Sequence, residues 1–151
     1  MDTFQDFKIK KQLLNALEES GYEKPTEIQN EAFSPIMGGF DFVGIAQTGT
    51  GKTIAYLLPI LQDLKYSDQQ NPRVLILAPT RELVIQIVEQ IEKLTPYITL
   101  RVLGVYGGSS NMKTQKKAVA EGVDVIVGTP RRLYDLEGKT CKRILNFIPR
   151  I

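Results

Sequence analysis

Ala46-Gln47-Thr48-Gly49-Thr50-Gly51-Lys52-Thr53 is the stretch on which the reading of this chain turns. Before it, residues 41–46 form a short apolar run that predicts a buried strand ending in a glycine-containing turn. Behind it, residues 52–65 carry a helical pattern, with a kink expected at Pro59. A strand that enters a helix through such a turn is the context a phosphate-binding loop requires. Gly49 and Gly51 let the backbone turn tightly, so that N–H groups converge on an anion at the helix N-terminus. Lys52 adds a point charge for β- and γ-phosphates, and the Thr53 hydroxyl can ligate Mg²⁺, which makes these two the candidate catalytic residues. Ala46 stands where the strict pattern has Gly. The bland alternative is a Gly/Thr-rich turn that binds nothing, and the Lys-Thr pair and the helix that follows weigh against it.

Outward from this loop, short β-branched runs alternate with longer amphipathic stretches. Residues 10–20 place Leu13, Leu14 and Leu17 at helical spacing, with Gly21 as a natural stop. A second helix is predicted over 26–37, bent or interrupted at Pro35. Downstream, residues 67–72 read as a loop, 73–78 as a strand and 81–94 as a helix with Leu83, Ile87 and Ile91 on one face. Residues 100–105 predict a third strand, 111–121 a crossover helix and 123–127 a fourth strand. Strands apolar at nearly every position are buried on both faces, and strands separated by helices need crossovers. The expected class is therefore α/β, a parallel sheet with helices on both faces.

Composition narrows the chemistry. The 151 residues suit one domain, and a formal charge of +2 is too small to announce nucleic-acid binding, so any such binding must come from local placement of charge. With no His there is no Ser-His-Asp triad and no histidine base or metal ligand. The single Cys141 excludes an intramolecular disulfide and fits a reducing, cytoplasmic location. Neither a secretory leader nor an apolar run of membrane-spanning length is visible. A phosphate loop by itself does not name an activity, because kinases, GTPases, transporters and helicases share it.

Four further segments supply the specificity. Gly21-Tyr22-Glu23-Lys24-Pro25-Thr26-Glu27-Ile28-Gln29 resembles the Q motif of DEAD-box RNA helicases, and Phe4 lies 17 positions before Gly21, where that family places an isolated aromatic. Pro79-Thr80-Arg81-Glu82-Leu83 looks like motif Ia, Gly107-Gly108 like the GG motif, and Thr129-Pro130-Arg131-Arg132-Leu133 like motif Ib. In order and spacing they match the first RecA-like domain over about residues 4–136, so residues 1–136 read as a partial helicase ATP-binding domain and 137–151 as a divergent tail.

The resemblance implies an ATP-dependent RNA helicase with ATP and Mg²⁺ as cofactors. Gln29 would read adenine and Phe4 would pack on its ring, favouring ATP over GTP. Thr48, Gly49, Thr50, Gly51, Lys52 and Thr53 would hold the phosphates and the metal. Pro79, Thr80, Arg81, Gly107, Gly108, Thr129, Pro130 and Arg132 would touch the RNA backbone, so that binding is sequence-independent and salt-sensitive. A Gln amide does offer a donor and an acceptor that match the adenine edge. Plainer readings stand beside these roles. Without the flanking Pro25-Thr26 and the distant Phe4, Gln29 would read as a solvated helix residue; Phe4 alone reads at least as well as a core or staple residue, Thr80 and Thr129 as helix caps, and Gly107-Gly108 as a turn. Lys113, Lys116 and Lys117 are a solvated helix face.

Two positions depart from the family's pattern. Glu27 replaces a frequent Pro, and Arg131 replaces the usual Gly of motif Ib, where it is strained only if the backbone needs positive φ. No Asp or Glu follows Glu137, so the Asp-Glu pair of motif II, the Ser-Ala-Thr of motif III and the second RecA-like domain are absent from the sequence. The chain is therefore expected to bind nucleotide weakly, to hydrolyse it negligibly and to expose apolar sheet edges. The tail reads either as the motif II strand slot (144–148) or as the product of a frameshifted or truncated gene. The competing function is a catalytically inactive nucleotide- or RNA-binding fragment; a third is a P-loop enzyme outside the helicases, such as a kinase.

Overall fold

Two of the amphipathic stretches become helices α1 (Lys11–Glu19) and α2 (Glu27–Met37), and the segment after the phosphate loop becomes α3 (Lys52–Asp63). The computed structural model describes residues 2–107 and 112–136. These fall into two compact units, residues 2–66 with 90–99, and residues 67–89 with 100–107 and 112–136.

In the first unit α1 buries Leu13, Ala16 and Leu17, so Ala16 rather than Leu14 completes the inner face. The chain leaves α1 through Gly21 at φ 79°, and the Tyr22 N–H returns to the Leu17 carbonyl at 2.9 Å, closing the helix end. A short 3₁₀ turn, Phe4–Phe7, precedes α1, and the Phe7 ring meets Phe33 of α2 edge-on at 4.5 Å. Both helix prolines lie inside unbroken helices: α2 runs through Pro35 and α3 through Pro59. Each costs its helix one backbone donor, and Pro59 is buried in the apolar face of α3. The Lys10 ammonium donates to the Leu61 and Leu64 carbonyls, satisfying the open C-terminal end of α3 with a cation.

The predicted strand over 41–46 does not form, and this corrects the sequence reading. Phe42 and Ala46 pack against Ile28, Ala32 and Ala55, while Val43 and Ile45 are 87% and 92% exposed. The two-residue alternation of a half-buried strand is present. A strand, however, exists only through a neighbour's hydrogen bonds, and no described segment supplies them. An unpaired run with two bare β-branched side chains is a template for association. Val43→Thr combined with Ile45→Thr is expected to delay self-association in concentration-dependent light scattering while changing stability by only about 0.5 kcal/mol. An unchanged association threshold would show that this run is not the sticky element.

The second unit contains the sheet. Strands β1 (Val74–Leu77), β2 (Val102–Val105) and β3 (Val125–Gly128) are all parallel in the order β1-β3-β2. Crossovers α4 (Arg81–Leu94) and α5 (Met112–Glu121) connect them, and α6 (Pro130–Asp135) follows β3. Central β3 is buried at every residue. On one sheet face Ile126, Leu75 and Leu103 pack with Val119 of α5 and Leu133 of α6. On the other, Gly104 lies beside Val84 and Val88 of α4, so near that an added Cβ would sit 3.3 Å from Val88. The α/β class with helices on both sheet faces is as expected, with three strands in place of four.

The strand starts are fastened by charge. Asp124, 2% exposed, takes Arg73 Nη2 at 3.0 Å and, through its two oxygens, Arg101 Nη2, Nε and backbone N at 3.1, 3.2 and 3.0 Å. Those three residues immediately precede β3, β1 and β2. Among the described residues no helix is long and apolar enough to cross a membrane.

Candidate functional site

The phosphate loop is built by two glycines in the left-handed region. Gly49 and Gly51 both have φ 81°, and Gly51 is the N-cap of α3. An L side chain adopts that conformation at a cost, so the sequence reserves both places for Gly. The loop is braced from within, as the Thr50 hydroxyl donates to the Gln47 carbonyl at 2.7 Å and the Lys52 ammonium to the Ala46 carbonyl at 2.6 Å. Lys52 thus lies across the loop with its charge over main chain. The departure at Ala46 has a packing reason, because its methyl contacts the Ile28–Ala32–Ala55 cluster. Thr48 and Gly49 are exposed, Thr50 and Gly51 half-exposed.

Gln29 is 3% exposed, and both ends of its amide are used by the protein. Its Oε1 accepts the Thr26 N–H at 3.0 Å, and its Nε2 donates to the Gly51 carbonyl at 3.2 Å. The first bond caps α2; the second ties the Q-like segment to the phosphate loop. Next to this junction lies an open cleft of about 460 Å³ lined by Thr26, Glu27, Ile28, Glu31, Ile45, Ala46, Gln47 and Thr50. Phe4 is elsewhere. It is 3% exposed, its ring centroid is 5.9 Å from that of Phe7, and it borders a separate cleft of about 150 Å³ with Leu14, Leu17 and Tyr22. Thr26, at the cap Gln29 makes, and Phe4 therefore line different clefts.

Thr53 is half-buried, and its side chain pairs with the Tyr56 hydroxyl, whose pKa burial pushes up against the opposing pull of that bond. For a triphosphate the groups present fit: a loop turned by two left-handed glycines, the Lys52 ammonium on the Ala46 carbonyl, and the N-terminus of α3. For Mg²⁺ the Thr53 hydroxyl is the candidate protein oxygen, and among the described residues no group of three acidic, His or Cys side chains could hold the ion. A hard cation would take its remaining oxygens from phosphate and water.

In the second unit the parallel register aligns Leu77, Gly128 and Val105, so the chain leaves all three strands on one edge. Pro79-Thr80-Arg81, Tyr106-Gly107 and Thr129-Pro130-Arg131-Arg132 emerge there, at the strand ends where ligands of parallel sheets gather. Gly108 lies outside the described residues. Thr80 Oγ1 accepts the Leu83 N–H at 3.2 Å and caps α4, while Thr129 is the N-cap residue of α6 with Pro130 at its first turn. Arg131 has no positive φ, since Lys8 is the only such non-Gly among the described residues, and its exposed side chain adds charge without strain.

The sequence reading missed two residues here. The Arg81 guanidinium sits 5.4 Å from the Tyr106 ring centroid. Gln115 of α5 accepts Arg132 Nε–H at 3.1 Å and extends Nε2 toward the Tyr106 carbonyl at 3.4 Å. Tyr106 could have been noticed as an aromatic next to two glycines. Gln115, one polar residue among lysines, carries no local signal.

Residues 26–148 match the DEAD/DEAH box helicase family. The probable ATP-dependent RNA helicase DDX46 of Danio rerio is 42% identical over 142 residues, which cover 91% of this chain and 14% of that protein. Its Homo sapiens counterpart is 41% identical over the same coverage. The ATP-dependent RNA helicase DeaD of Escherichia coli K12 is 42% identical over 134 residues, 88% of this chain and 21% of the relative. The chain thus spans between 14% and 21% of the length of these relatives.

Proposed function

Because the chain belongs to the DEAD/DEAH box helicase family, we propose that it carries the ATP-binding surface and part of the RNA-binding surface of an ATP-dependent RNA helicase. Residues 1–136 form part of the first RecA-like domain in this reading, acting in the cytoplasm with a second such domain elsewhere in the full-length protein. Loop amides from Thr48 to Thr53 and the Lys52 ammonium take the phosphates, and Thr53 takes Mg²⁺. Gln29 contributes to base choice with the one N–H and the oxygen lone pair that its two internal bonds leave over, while Phe4, buried against Phe7 beside a separate cleft, is read as a core residue. Thr80, Arg81, Gly107, Gly108, Thr129, Pro130 and Arg132, with Pro79 setting the first loop, meet RNA phosphates.

One observation carries the reading: two left-handed glycines open the N-terminus of α3 while the Lys52 ammonium rests on the Ala46 carbonyl, a partner it can exchange for a phosphate. Lys52→Ala is expected to weaken Mg-ATP binding about tenfold in calorimetric titration, the low end for a charge-assisted bond because the ammonium gives up its Ala46 partner. Binding that is indifferent to Lys52 would refute the site. A second reading, binding without turnover by this chain alone, is favoured because among the described residues no group of three acidic, His or Cys side chains could hold a metal ion. Phosphate release stimulated by RNA and abolished in Lys52→Ala would exclude it.

A further inference from the structure

We infer that Gln115 is a positioning residue for RNA binding, acting by holding the Arg132 guanidinium in a fixed orientation on the strand-end edge. The inference rests on the RNA-binding role proposed above for that edge. Arg132 spends only Nε–H on Gln115 Oε1, at 3.1 Å, which leaves both terminal NH₂ groups as a fork for a phosphate. Gln115 is itself held by a helix, α5, and by the longer 3.4 Å bond to the Tyr106 carbonyl just past β2. The Tyr106 ring in turn carries the Arg81 guanidinium at 5.4 Å. Two arginines, from the first turns of the helices after β1 and β3, are thus steadied from the one residue that follows β2.

The physical consequence is pre-organisation. A free arginine loses rotamer freedom when it binds a phosphate, and one already tethered at Nε loses less. Gln115 touches no phosphate in this scheme; its effect passes through Arg132. That separates it from the neighbouring Lys113, Lys116 and Lys117, exposed side chains whose effect on RNA would be generic attraction.

The test is fluorescence anisotropy of a labelled single-stranded oligouridine against the full chain, over a range of salt, with Gln115→Met, Arg132→Met and the double variant. Gln115→Met is expected to lower affinity about fivefold, and to do nothing further in the Arg132→Met background. Arg132→Met should also reduce the salt slope by about one. A loss from Gln115→Met that is equal in both backgrounds would mark a merely structural role and overturn the inference. So would RNA binding that responds to Arg132→Met and not to Gln115→Met. No RNA binding by the unsubstituted chain would overturn the proposed function along with it. A measurement independent of variant folding is solvent exchange of the Arg132 Nε–H by NMR, expected to be slower than that of exposed Arg131; equal exchange would also overturn the tether.

Discussion

Gly51→Ala should cost the chain about 3 kcal/mol of stability and lower Mg-ATP affinity roughly a hundredfold, the larger losses falling at the place where two segments meet. A residue with a Cβ pays about 1–2 kcal/mol to adopt φ 81° at this N-cap. The new methyl would also collide with Gln29 Nε2, leaving the side chain no room unless the amide swings away. Moving that amide breaks the bond to the Gly51 carbonyl and loosens the cap on Thr26. Gly49→Ala is the control. It has the same φ of 81° but nothing within 4 Å of the added Cβ, so it pays the backbone cost alone. Urea denaturation of both variants separates the contributions, and equal losses would mean that Gln29 does not brace the loop.

Asp124→Asn is expected to destabilise the chain by about 3 kcal/mol, because removing one partner of a buried charge cluster strands the others. For a chain of this size that lowers the thermal midpoint by roughly 6–12 °C. Burial alone would push the Asp124 carboxyl up. Hydrogen bonds from the Arg101 side chain and backbone, and from Arg73, outweigh it and hold the carboxyl below its ordinary value of 3.8. The unfolded chain therefore takes up this proton more readily than the folded one. The stabilisation is fully present above the ordinary carboxylate range and is lost as pH falls through the lower, folded value. The gap between the unsubstituted chain and Asp124→Asn should be widest at neutral pH and should narrow below about pH 4. A gap that stays constant from pH 7 to pH 3 would show that the carboxylate charge is not what ties the strand starts.

Much of the fold could be read locally. The α4 boundaries, residues 81–94, follow from apolar spacing and from Thr80 as cap, and the phosphate loop is legible because Gly at two positions and Lys-Thr at the helix start each have a local physical reason. The three-strand parallel sheet follows from continuous apolar runs separated by helices, which leave few topologies open. Residues 41–46 show the limit. Their alternation and β-branched content are strand-like, and they bury one face as a strand would, yet pairing depends on a neighbouring edge that a local pattern cannot report.

The amino-acid order by itself determined the helices, the apolar runs that can serve as strands and the glycine-built anion loop, because backbone conformation and burial face depend on residues within a few positions of one another. Only the tertiary structure decided what the polar side chains do with their donors and acceptors. Gln29 turns to the Gly51 carbonyl 22 residues away, Asp124 gathers Arg73 from 51 residues away, and Gln115 reaches Arg132 across 17. Such partners are set by which strand and helix ends the fold brings together, and a hydrogen bond of about 3 Å leaves no trace in the local sequence that makes it.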